Sequence, residues 1–268
     1  MSTTTTPATG SAPIQGALWG ARAADYAEVQ EPMSLPLYRR TIELAEVGEG
    51  AEVLDAGCGS GVFLEAARAA GANVSGIDAA APLLDIARRR VPEAELVEGD
   101  LESLPFAHGS FDLVAGMNAF QYAASPVGAL REAGRVLVPG GVVAAAVWGE
   151  AEHCDAAPYV AALGACLPPP PPGAPGPFAL SVPGALEALL VEAGFQPKHS
   201  EEVVCQWDYP DEEHLLRGLL GAGPAVRAIQ HSGEERVRSL TLEALAPFRR
   251  DGGGYYLENA FRLVVAGR

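Results

Sequence analysis

Apolar and polar positions follow two regimes along this chain. From residue 52 to residue 148, short apolar runs bounded by turn residues alternate with amphipathic segments. The runs at 52–57, 72–78, 94–100, 111–118 and 142–148 are read as strands. Helices are expected at 60–70, closed by Gly71, at 80–90, stopped by Val91-Pro92, and at 126–136. Strands separated by helices imply right-handed crossovers and a parallel sheet covered on both faces. Before this block, helices are expected at 17–30 and 34–47.

The second regime is less regular. Residues 151–167 read as helical, and Pro168 opens a proline-rich loop running to about Ser181. A helix is expected at 182–193 and a strand within 196–209. Residues 211–247 are mostly helical, broken near Gly221 and Gly233, and a last strand follows at 255–266. The expected organisation is a disordered tail, 1–13, then a single domain, 14–268. Segments 151–181 and 211–250 are expected as insertions on the acceptor side and as a cap.

Chemistry concentrates in VLDAGCGSG, residues 53–61, where a strand runs into Gly57, Gly59 and Gly61. A tight strand-to-helix turn needs left-handed backbone or close approach, which a Cβ would block. A dinucleotide fingerprint places its third glycine five residues after the first, and that position is Val62. A triphosphate loop needs Gly-Lys, and no lysine is present here. Asp55 is a poor neighbour for a phosphate but a favourable one for a cation. Asp78 and Asp100 end the next two expected strands, so three acids line the carboxyl edge of the sheet, where ligands of open sheets bind.

With these motifs, the stretches GID (76–78), GDLESLPFAHGSFDLV (99–114) and LREAGRVLVPGG (130–141) resemble the class I S-adenosylmethionine-dependent methyltransferases. The likeness is to the branch that includes ubiquinone and menaquinone biosynthesis and many natural-product enzymes, and it is strong over residues 50–150. It implies a Rossmann-like α/β fold: an open, mostly parallel seven-stranded sheet with an antiparallel last strand, helices on both faces and a helical cap. It implies S-adenosyl-L-methionine as cofactor and S-adenosyl-L-homocysteine as product. Gly57, Gly59 and Gly61 would wrap the methionine moiety, with Asp55 and Cys58 in the same loop. Asp78, with Ala79 after it, would hold the ribose. Asp100 and Leu101 would meet the adenine, and Asn118 would offer its carbonyl to the ammonium. Tyr26 would add a cofactor contact from the N-terminal helix. After Asn118 the chain reads AFQYAASP where many relatives carry a histidine, so no histidine role carries over there.

Acceptor-side candidates are Trp19, Gln121, Tyr122 and Trp148, and His153 is the candidate general base. A metal site is not expected, because Cys58, Cys154, Cys166 and Cys205 lack ligand spacing.

Composition narrows the partners. A net charge of -16, with Lys198 the only lysine, argues against nucleic acid and against an anionic membrane surface. The N-terminus has neither the basic residues nor the apolar run of a leader. A cytoplasmic monomer or homodimer acting on a small-molecule acceptor is expected. A protein that keeps the cofactor but catalyses a cyclisation or rearrangement, or only regulates, is the alternative.

Overall fold

The computed structural model describes residues 10–169 and 176–268. Seven strands, β1 (Glu52–Ala56), β2 (Asn73–Asp78), β3 (Glu95–Glu98), β4 (Phe111–Met117), β5 (Leu137–Trp148), β6 (Gln196–Tyr209) and β7 (Tyr255–Gly267), form one sheet. Their order is β3-β2-β1-β4-β5-β7-β6. The first five are mutually parallel, while β7 runs antiparallel between β5 and β6. Strand order reverses between β1 and β4, and this switch point opens a crevice at their carboxyl ends.

Successive side chains of a strand face opposite sides of a sheet, and the core divides accordingly. Val53, Leu113 and Ala144 point into one apolar layer with Phe63 and Leu64 of helix Val62–Ala69. Their neighbours Leu54, Val114 and Val143 point into the other, with Leu130 and Ala133 of helix Pro126–Val136. Both faces are therefore covered, which explains why these strands read as continuous apolar runs.

Several expected boundaries shift, each for a local reason. The N-terminal helix spans Ala12–Gly20, with Pro13 in its first turn, where a missing N–H costs nothing. Ala12 and Pro13 thus belong to a helix, not to a tail; residues 1–9 of the expected tail lie outside the described residues. The expected helix 17–30 breaks after Gly20. The chain continues as a short turn, Ala23–Asp25, then a π turn, Tyr26–Gln30, and a 3-10 turn, Glu31–Ser34, that contains Pro32. β3 ends at Glu98, so Asp100 sits in the turn beyond it, not at a strand end. The proline-rich loop falls partly at 170–175, outside the described residues.

Residues 211–247 form three helices, Glu212–Leu220, Gly223–Ser232 and Glu234–Leu245. Gly223 lies against the N-terminal helix: a Cβ there would sit 2.7 Å from Trp19 Nε1. Among the described residues no helix is long and apolar enough to cross a membrane.

Leu54 is fully buried at the centre of β1. Leu54→Ala is expected to lower unfolding free energy by about 2–5 kcal/mol in urea titration. Val182→Ala, at an exposed apolar position, should stay within about 0.5 kcal/mol. A Leu54→Ala loss below about 1 kcal/mol would show that this layer is not close-packed.

Candidate active site

The turn after β1 is built by three glycines in left-handed backbone, Gly57 (φ +91°), Gly59 (φ +52°) and Gly61 (φ +84°). A Cβ on Gly57 would lie 2.6 Å from the Ala119 methyl, so the loop closes against the end of β4 only because that position is glycine. Two carboxylates then hold the loop. Asp78 accepts from Gly59 N–H (2.9 Å) and, with its other oxygen, from Ala80 N–H (2.8 Å). Glu31, arriving from the N-terminal segment, accepts from Ser60 N–H at 3.0 and 3.2 Å. Arg90 donates to the Ser60 carbonyl (2.8 Å) and hydroxyl, completing the clamp on that residue.

Asp55 lies beneath the loop, buried, with Oδ1 lacking a hydrogen-bond partner among the described residues. Burial, followed by the charges of Glu31 and Asp78, pushes its carboxyl well above the ordinary range. Burial lifts Asp78 as well, against the pull of its backbone N–H donors. Burial raises Glu31 to about 7, although its bonds to Ser60 and the charge of Arg90 favour the ionised form.

Above the loop opens a cavity of about 730 Å³. Of the expected cofactor residues, Tyr26, Gly57, Gly59, Asp78, Ala79, Asp100, Leu101 and Asn118 line it. Asp55, Cys58 and Gly61 do not. Asp55 is covered by the loop, the Cys58 sulfur packs against Gly76, and Gly61 starts helix Val62–Ala69 while resting on Ala87. The N-terminal helix roofs the cavity with Ser11, Gln15 and Trp19, and Ala12 N–H reaches Asp100 Oδ2 at 3.3 Å.

A second cavity, about 1500 Å³, adjoins the first, and Trp19, Tyr26, Asn118 and Tyr122 face both. Trp19 meets Tyr26 and Tyr122 edge-on, with ring centroids 5.1 and 5.7 Å apart. Asn118 adopts φ +58°, a strained turn that swings the chain away from β4, and its Oδ1 accepts from Gln121 Nε2 at 2.7 Å. Gln121 and Trp148 also line this second cavity, so all four expected acceptor residues face it.

His153 is placed elsewhere. Gly149 turns the chain tightly over Ala260, where a Cβ would lie 2.8 Å from the Ala260 methyl, and the 3-10 turn Ala151–His153 carries the imidazole outward. It is exposed, lines neither cavity, and holds Glu202 through Nδ1 at 2.7 Å. That bond raises its pKa. Glu150 shares the cluster, and ligand atoms of the three residues lie within metal-binding distance of one another. Arg262 already pairs there with Glu202 (3.2 Å) and Glu150 (3.5 Å).

Sequence reasoning missed Glu31 on the glycine loop, Gln15 and Leu83 around the first cavity, and Tyr159, Trp207 and Phe261 around the second. Glu31 carried only a weak signal, an acid before Pro32 with no motif around it. Trp207 and Phe261 sit on strands β6 and β7, whose inward faces show only once the sheet order is known.

The residues present fit S-adenosylmethionine. The lining of the first cavity contains Asp78 and Asp100 and no Lys, Arg or His among the described residues, which favours a cationic ligand over a pyrophosphate. Leu83, Ala79 and Leu101 offer an apolar wall.

A fold of this topology, with a glycine turn and acids at the switch point, defines a Rossmann-like cofactor-binding α/β protein. Comparison with known proteins makes this specific. Residues 54–145 match the family model described as a methyltransferase domain. The malonyl-[acyl-carrier protein] O-methyltransferase of Pectobacterium atrosepticum is 38% identical over 234 residues, 84% of this chain and 84% of that protein. The protein of the same name from Erwinia pyrifoliae is 42% identical over 104 residues, 39% of this chain and 40% of its own length. Among solved structures, a SAM-dependent methyltransferase of Aquifex aeolicus superposes with TM-score 0.53 at 19% identity, covering 68% of this chain and 92% of that one. The [4+2]-cyclase SpnF does so with TM-score 0.55 at 20% identity, covering 87% and 79%. These two likenesses show the fold. The chain belongs to the class I S-adenosylmethionine-dependent methyltransferases.

The Glu31 carboxyl has a consequence for stability. A folded pKa raised from 4.5 to about 7 means that the folded chain keeps a proton the unfolded chain releases. Stability from this group is therefore full below about pH 4.5 and falls as pH rises to 7, by about 3 kcal/mol if Glu31 acted alone. Glu31→Gln, which keeps an acceptor for Ser60 N–H without the charge, should flatten that decline in denaturation series between pH 4.5 and 8. An unchanged slope would mean that Glu31 stays ionised throughout.

Proposed function

We propose that this chain binds S-adenosylmethionine in the acid-lined cavity and methylates a small molecule held in the adjoining one. The observation that carries the reading is the shared wall: Trp19, Tyr26, Asn118 and Tyr122 border both spaces, so two ligands would meet there. Bound cofactor would supply a methyl carbon already activated by its sulfonium.

The chain's own part is to hold and align. Gly57 and Gly59 let the backbone approach the methionine end, and Asp78 presents a carboxylate to the ribose hydroxyls. Asp100, at the roof, and Leu101 face the adenine end. Asn118 directs its carbonyl towards the ammonium. Trp19 and Tyr26 close the roof over the cofactor, and Gln121 and Tyr122 set the direction from which an acceptor approaches. Holding two reactants in line is worth several kcal/mol, on the order of the entropy of a bimolecular encounter. No base need come from His153.

Because of the relatives named malonyl-[acyl-carrier protein] O-methyltransferase, a malonyl thioester belongs among the acceptors to be tested. Calorimetry with S-adenosylhomocysteine should give a dissociation constant on the order of micromolar. Asp78→Ala should weaken it by about tenfold or more, with the fold retained by circular dichroism. The absence of binding to the intact chain, or an Asp78→Ala affinity equal to the parent's, would reject the assignment.

A further inference from the structure

Resting on the proposed methyl transfer, we infer that the acceptor is an uncharged aryl molecule with one hydrogen-bearing heteroatom at its reacting end, not a carboxylate. The second cavity is the ground for this. Its lining is aromatic and aliphatic, with Trp148 stacked on Phe261 at 5.0 Å and edge-on to Trp207 at 5.6 Å. Among the described residues, no Lys, Arg, His, Asp or Glu lines it. Residues 1–9 and 170–175 carry no ionisable side chain in their sequence either. A carboxylate entering this space would lose its water and find no protein cation in exchange.

Several polar groups facing the cavity are already paired. Gln30 Oε1 accepts from Tyr209, Tyr159 donates to the Leu219 carbonyl at 2.7 Å, and Asn118 Oδ1 accepts from Gln121. Among the buried side-chain atoms of the lining residues, two have no partner among the described residues: the indole N–H of Trp207, a residue only 4% exposed, and Gln121 Oε1. A buried donor or acceptor left unmade is costly, so a fitting ligand completes both. It brings an acceptor oxygen or ring nitrogen for Trp207 and an O–H or N–H for Gln121. Gln121 lies next to Asn118, on the wall shared with the first cavity, which places the O–H or N–H at the reacting end.

The same lining limits the proton chemistry. Burial pushes Tyr122 up to about 12 and raises Tyr26 and Tyr159 as well, so none of these phenols serves as a base. Glu31, beside Gln30 in sequence, is turned to Ser60. The heteroatom lone pair forms the new bond to the methyl carbon as the methyl–sulfur bond breaks, its electron pair going to sulfur. The heteroatom's proton leaves to water.

The test is a matched ligand panel titrated into protein saturated with S-adenosylhomocysteine. The probes are 2-naphthol, 2-naphthamide, 2-naphthoate and the malonyl thioester of N-acetylcysteamine. Both neutral probes should bind at least about tenfold more tightly than 2-naphthoate and the malonyl thioester. Trp207→Phe, which keeps the ring and removes the N–H, should weaken 2-naphthamide about fivefold. Equal or tighter binding of either carboxylate overturns the inference, and an unchanged 2-naphthamide affinity in Trp207→Phe removes the donor role. If S-adenosylhomocysteine itself fails to bind, the methyl-transfer reading falls. The ranking of neutral over anionic probes can still be measured on the unliganded chain.

Discussion

Two backbone N–H groups, those of Gly59 and Ser60, each point at a buried carboxylate, and the arrangement of the site depends on these two pairs. The loop can present adjacent N–H groups in different directions only because Gly57, Gly59 and Gly61 take left-handed backbone. Asp78 ties the loop to β2, and Glu31 ties it to the N-terminal segment. A charge-assisted bond to a backbone N–H is among the stronger hydrogen bonds a carboxylate can make, and here it offsets part of the cost of burial. Arg90 adds a cation at one remove, through Ser60. The residue closes a run of three arginines at a helix end, where dipole complementarity alone would account for it, yet its guanidinium reaches back to the loop.

The clamp also explains why the N-terminal segment is broken. A continuous helix through residues 17–30 would carry Glu31 past the loop. The π turn at Tyr26–Gln30 and the 3-10 turn at Glu31–Ser34 change the pitch, so that Tyr26 faces the cavities while Glu31 faces Ser60. Trp19 then packs between Tyr26, Tyr122 and Gly223 and joins the roof to the helical cap. Roof, loop and cap form one connected set of contacts around the crevice.

Much of this frame was legible from sequence because it is local. The strands β1, β2, β4 and β5 announce themselves as apolar runs, and the glycine loop and Asp78 have fixed spacing from them. β3 ends earlier than the sequence suggests, because the apolar pair Leu96-Val97 gives no sharp stop before Asp100, although the chain has already turned after Glu98. What required the fold is long-range. Glu31 lies 29 residues before Ser60, and Trp207 and Phe261 meet Trp148 only because β7 runs antiparallel between β5 and β6. His153 illustrates the opposite case. Its position after β5 put it at the correct sheet edge, but the direction of the chain there is set by the close approach of Gly149 to Ala260, which no local pattern records.

The two cavities differ in the one property that matters most for methyl transfer. Among the described residues, the first is bordered by carboxylates and the second by none, with Asn118 and Tyr122 at the divide. A cation is therefore stabilised on one side of the wall and a neutral apolar body on the other, within a low-dielectric interior where such differences are amplified. In the proposed reaction the positive charge on sulfur disappears as the methyl group crosses. An acceptor cavity free of charge does not hold that methyl back, whereas carboxylates lining it would compete with the acceptor for the electrophile. With no carboxylate or imidazole lining the second cavity among the described residues, alignment of the two reactants is the chief means of accelerating the proposed step. The aromatic wall of Trp19, Tyr26, Tyr122 and Trp148, packed edge-on and stacked into the protein core, is where that geometry is held.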